Sequence, residues 1–166
     1  MIKLYKNTDG AGEYWETWDN EDGTHTVHWG ALGTRGSSRT VRDRLFKKAS
    51  RAIQAEIDAR TALGFAPVPL AQHAVLLIEY AVEGMGGPAD LDKRYRLQDR
   101  MNETLGWTGL GHCDGGSIGG GTMEVCNFVV DFALARQVIE KDLAGTEFAD
   151  FTRIYDERAD SGTMEL

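Results

Sequence analysis

The chain has 166 residues, 42% of them hydrophobic and 27% charged, with a formal net charge of −8. That length holds one ordinary domain or two small ones, and the longest apolar run, Ala74 to Ile78, is far too short to span a bilayer. Two cysteines argue against a disulfide scaffold or a paired C-x-x-C zinc framework, and Met1-Ile2-Lys3-Leu4-Tyr5 lacks the apolar core of a signal peptide, so the expectation is a cytoplasmic protein.

Charge is unevenly distributed. Residues 1–66 hold ten Lys or Arg against nine Asp or Glu, leaving eight against seventeen for residues 67–166. Arg35, Arg39, Arg42, Arg44, Lys47, Lys48 and Arg51 lie within one stretch that contains a single acid, Asp43. Such a run is either a solvated strand and helix entry or a local patch of positive potential that meets phosphate.

In chain order, Ile2 to Lys6 reads as a short strand and Asn7 to Gly12 as turn chemistry. Tyr14, Glu16 and Trp18 then share one face of a second strand, with Trp15 and Thr17 on the other. Asn20-Glu21-Asp22-Gly23 is a hairpin turn. His25, Val27 and Trp29 share one face of the next strand and His28 takes the opposite one, which removes the two histidines as a metal pair. His28-Trp29-Gly30 leads into Gly33 and Gly36, a glycine-punctuated loop beside a large ring. A ring placed there can stack on a sugar or base, or close the end of a small core. A fourth strand over Ser37 to Asp43 alternates Ser38, Thr40 and Arg42 against Arg39, Val41 and Asp43. Ala49, Ile53 and Ile57 then recur at helical spacing up to a stop at Gly64.

Tyr14-x-x-x-Trp18, an Asp-Gly hairpin, Val27-His28-Trp29-Gly30 with Gly33-Thr34-x-Gly36, a basic strand and a helix ending at Gly64-Phe65 together resemble the WGR domain over residues 1–66. That family occurs in poly(ADP-ribose) polymerases and in bacterial regulator-type proteins. The resemblance implies a small antiparallel sheet with one helix and a non-enzymatic surface that senses DNA ends. Trp29 would pack on a terminal sugar, and Arg35, Arg39, Arg42, Lys47 and Lys48 would supply phosphate contacts. The chain departs from the motif at Ala31, where the family name has arginine. No polymerase catalytic motif follows.

Gly64 to Pro69 reads as a linker, extended to residue 72, before a second domain over 73–166. His73 to Val82 is a buried strand, Ala89 to Leu105 a helix, and residues 106–131 a glycine-rich hairpin region. A helix capped by Asp131 turns Leu134, Val138, Ile139 and Leu143 inward, and a last strand lies near Phe151 to Asp156. Strand, helix, two strands, helix, strand is the order of a ferredoxin-like split β-α-β domain, so the fold class is α+β throughout. With Gly119-Gly120 as the hairpin turn, Cys113 faces Cys126 at close approach, and two reduced thiols are expected there.

No acid/base pair, metal set or phosphate loop is placed by spacing, so neither enzyme activity nor a cofactor is expected. Two functions follow as expectations. One is a module that binds a nucleic-acid end through the basic face, with the acidic second domain docking a protein partner. The other is a protein-interaction or immunity-type regulator whose basic face meets an acidic partner and no nucleic acid. Neither involves a membrane.

Overall fold

The computed structural model describes residues 1–8, 11–43 and 48–161, without the side chains of 160 and 161. It divides into two units, residues 1–69 and 70–166, each a sheet with its own helices. In the first, β1 (Ile2–Thr8), β2 (Ala11–Asp19), β3 (Thr24–Ala31) and β4 (Ser37–Arg42) precede helix α1 (Ala49–Ala62). The strands pair antiparallel in sequence order, as short hairpin turns dictate. Alternation sends Leu4, Trp15 and Val27 to one face. Ile53 and Phe65 close over them, and Trp29, Val41 and Ile57 pack at the margin. Burying each of these side chains contributes about 1.5–3 kcal/mol. Asp43 accepts a hydrogen bond from the Ala49 backbone at 2.7 Å, satisfying one of the donors left open where α1 begins. Along the outer edge of β1, Tyr5 exchanges two backbone bonds with Ala66, at 2.8 and 2.9 Å.

The second unit runs β5 (Ala74–Ala81), α2 (Pro88–Trp107), β6 (Gly111–Gly119), β7 (Thr122–Val129), α3 (Phe132–Leu143), β8 (Arg153–Asp156) and the short α4 (Glu157–Ser161). Its sheet is antiparallel in the order β6-β7-β5-β8. Leu76 and Ile78 of β5, Met123 and Val125 of β7, Leu97 and Met101 of α2, and Ile139 and Leu143 of α3 are all buried. Asp131 accepts from the Leu134 backbone at 3.0 Å and so starts α3 as its spacing predicts. Arg100 ties α2 to α3 through the Asp142 carboxylate at 2.7 Å. Leu97 is fully buried, so Leu97→Ala is expected to cost about 2–5 kcal/mol, read as a lower urea midpoint at unchanged slope. Among the described residues, no helix is long and apolar enough to cross a membrane.

The β6–β7 hairpin corrects one expectation. Gly119 pairs with Thr122, so the turn is Gly120-Gly121, one residue later than the sequence reading. Both residues have positive φ, +61° and +91°, the conformation that a two-residue hairpin turn demands. A bulge at Asp114 shifts the register again. Cys113 therefore stands opposite Asn127 and Cys126 opposite Gly115, and both thiols are free. Burial raises both thiols above their ordinary range, that of Cys126 to about 11. Iodoacetamide is expected to label them slowly at neutral pH and faster as pH climbs toward 11. Rapid labelling at pH 7 would contradict this.

Candidate nucleic-acid interface

The sheet of the first unit is buried at the centre of its second face as well. Tyr14, Glu16 and His28 project there, 1%, 4% and 0% exposed, and Glu16 and His28 are direct cross-strand partners. Charge at such depth costs several kcal/mol unless paired, and here it is paired. Lys3 meets one Glu16 oxygen at 3.2 Å, and His28 Nδ1 donates to the other at 2.7 Å. His28 Nε2 lies 2.7 Å from the Arg35 carbonyl and 3.0 Å from the Tyr14 hydroxyl, which itself donates to the Thr34 carbonyl at 3.0 Å. The carboxylate can only accept, so the bond to Glu16 is a donation from Nδ1, while Nε2 faces a carbonyl and a hydroxyl at hydrogen-bond distance. The rings of Tyr14 and His28 meet edge-on, 5.0 Å between centroids. Burial, followed by the Glu16 charge, pushes the Tyr14 phenol up to about 12 and keeps it a donor.

These bonds fix the loop between β3 and β4. Its backbone is tied at Thr34 and Arg35 to buried side chains, at Leu32 to Gly12 (2.8 Å) and at Thr34 back to Ala31 (3.0 Å). Gly36 closes it at φ +60°, and a Cβ there would sit 2.2 Å from the Trp29 carbonyl and 2.5 Å from the Tyr14 hydroxyl. Only glycine fits.

The residues singled out in the sequence fall into separate places. Trp29 lies on the helix-covered face opposite Ser37, half-buried against the core. Arg35 is exposed on the pinned loop, and no ion pair to it is seen among the described residues. Arg39 shares the Trp29 face but is held by Glu56 at 2.5 Å. Arg42 projects to the opposite face, toward the hairpin turn. There Asp22 is held below the usual carboxylate range, first by the Thr24 hydroxyl and in smaller part by Arg42. Lys48 is exposed at the start of α1, and Lys47 and Arg44 lie outside the described residues. Ser37 and Arg42, at the two ends of β4, are roughly 17 Å apart at the usual strand rise. Trp29 and Arg35 therefore mark one end of the hairpin, Arg42 and Lys48 the other.

Sequence reasoning used His28 only to dismiss a metal pair. A two-residue Asp-Gly turn would have set Glu16 opposite Trp29; the turn has three residues, Glu21 to Gly23, which brings His28 opposite Glu16. Among the described residues no group of three metal-capable side chains comes together. Compared with protein-family models, with curated proteins and with solved structures, the chain finds no match.

Proposed function

We propose that the first unit is a WGR-like module that binds a nucleic-acid end without catalysing a reaction. Trp29 presents its ring to the terminal sugar, and Arg35 meets the flanking phosphates. The observation that carries this reading is the loop fixed by His28. An exposed arginine on a backbone tied down by four hydrogen bonds, next to a half-buried tryptophan, has little ordering entropy left to lose on binding. Phosphate contacts from such a fixed loop position a strand end without reading sequence.

The second unit is proposed as a ferredoxin-like domain, a reading supported by its element order and by the strand order β6-β7-β5-β8. Its role is to dock a protein partner through its acidic surface.

The test is fluorescence anisotropy on a labelled blunt duplex and on the same duplex with both ends closed by hairpins. The expected result is binding to the blunt form at least about tenfold tighter, weakening as salt rises. Equal affinity for both forms would remove end recognition, and no binding at low salt would remove the nucleic-acid reading altogether.

A further inference from the structure

We propose that the outer edge of β4 accepts an extended acidic peptide as a fifth strand of the first sheet. The hydrogen-bonding phase of the ladder fixes which groups are available. The Asn20 backbone donates to Thr24 and Leu32 to Gly12, so the even-numbered residues of β3 bond to β2 and the odd ones to β4. The Asp43 backbone donates to Gly23, which sets the same phase from the other side. Ser37, Arg39 and Val41 thus spend their backbone groups on β3, and Ser38, Thr40 and Arg42 point theirs outward. Among the described residues nothing bonds to those outward groups.

The other long edges are treated differently. β1 is bridged at Tyr5 by Ala66. On β6, Asn102 of α2 accepts from the Cys113 backbone at 3.0 Å and Arg94 of α2 donates to the Gly116 carbonyl at 3.0 Å. Proteins cover exposed strand edges because they template pairing, and β4 is six residues long with no backbone partner on its outer edge among the described residues.

A cleft of about 490 Å³ lies along that edge, between β4 and the first turns of α1. Val41, Ala49 and Ala52 give it an apolar floor; Arg42 and Lys48 give it positive charge, and Asp43, the one acid in the lining, is engaged by the Ala49 backbone. Neither cation has an ion pair among the described residues, whereas Arg39, which also lines the cleft, is occupied by Glu56. Side chains of an added strand alternate between faces. One set would pack small apolar groups on Val41 and Ala49, and the other would set carboxylates against Arg42. Main-chain bonds give such a complex its affinity, and the flanking charges choose the partner. This inference shares strand β4 with end binding, but its charge selection rests on Arg42 and Lys48 at one end of the hairpin, whereas end binding rests on Arg35 and Trp29 at the other.

The probe is a fluorescein-labelled peptide of alternating glutamate and valine, titrated by anisotropy against the full chain. Its controls are the same peptide N-methylated at alternate residues and a single-stranded oligothymidylate of equal length. The parent peptide is expected to bind, and its N-methylated form at least about tenfold more weakly, because the charges remain but the ladder cannot form. The double variant Arg42→Glu/Lys48→Glu is expected to lose binding by a similar factor. So is Thr40→Pro, which removes only an outward N–H and is tolerated on an edge strand. Arg35→Glu should leave peptide binding unchanged, so failure of end binding and failure of this site are separable. Equal affinity for the two peptides overturns the proposal, as does absence of peptide binding at millimolar protein. It is overturned equally if the oligothymidylate binds more tightly than the peptide and alone responds to the charge reversals.

Discussion

His28→Ala is expected to lower the unfolding free energy of the first unit by about 3–5 kcal/mol, most of what a domain of that size possesses. The side chain is fully buried and donates to a carboxylate that is itself 4% exposed. Removing it leaves Glu16 with Lys3 alone and strips the Arg35 carbonyl of its partner. Taking away the donor to a buried carboxylate costs more than the bond contributed, because the carboxylate stays desolvated. Urea unfolding followed by tryptophan fluorescence measures the loss. Glu16→Gln in the same background should then cost less than it does alone, since the charge it removes has already lost its partner. A loss under about 1 kcal/mol for His28→Ala, or strict additivity of the two changes, would show that water takes over the role assigned to His28.

Gly36→Ala should be the most damaging conservative change in the loop, at about 2–3 kcal/mol. Two costs combine there. The backbone sits at φ +60°, where a side chain is strained, and the added methyl would lie 2.2 Å from the Trp29 carbonyl. The loop must move, and Thr34 and Arg35 move with it, so end binding should fall by at least about tenfold at salt and temperature where the variant is still folded. Gly23→Ala is the control. It also has positive φ, +79°, but nothing lies within 4 Å of its Cβ position, so it carries the strain without the clash and leaves binding intact. If both variants lose equal stability and neither loses binding, the close approach at Gly36 has no bearing on the interface.

Much of this architecture was legible before the coordinates. Alternation separates Trp15 from Tyr14 and Glu16 across β2 and Val27 from His28 across β3, and helical spacing places Ala49, Ile53 and Ile57 along α1. What escaped the sequence did so for identifiable reasons. Strand alternation separates two faces but does not say that both are buried at the centre, so it gives no sign of the buried pairing of Glu16 with His28. Gly119-Gly120-Gly121 offers two turns one residue apart with equal backbone freedom, and packing chose the later one. The bulge at Asp114 leaves no mark in the sequence. Alternation already sends Arg39 and Arg42 of the basic run to opposite faces; what the sequence does not show is that a helix carboxylate, Glu56, takes Arg39.

End recognition by Trp29 and Arg35 is the centre of this account, and affinity for a blunt duplex in the wild type, Trp29→Phe, Trp29→Ala and Arg35→Glu tests it most directly. Far-UV circular dichroism on the same samples confirms that each is folded. The account predicts near-wild-type binding for Trp29→Phe, a loss of about tenfold or more for Trp29→Ala in keeping with 1–3 kcal/mol for a stacked ring, and a flatter salt dependence for Arg35→Glu. Folded Trp29→Ala and Arg35→Glu proteins that bind the duplex end as tightly as the wild type would contradict it.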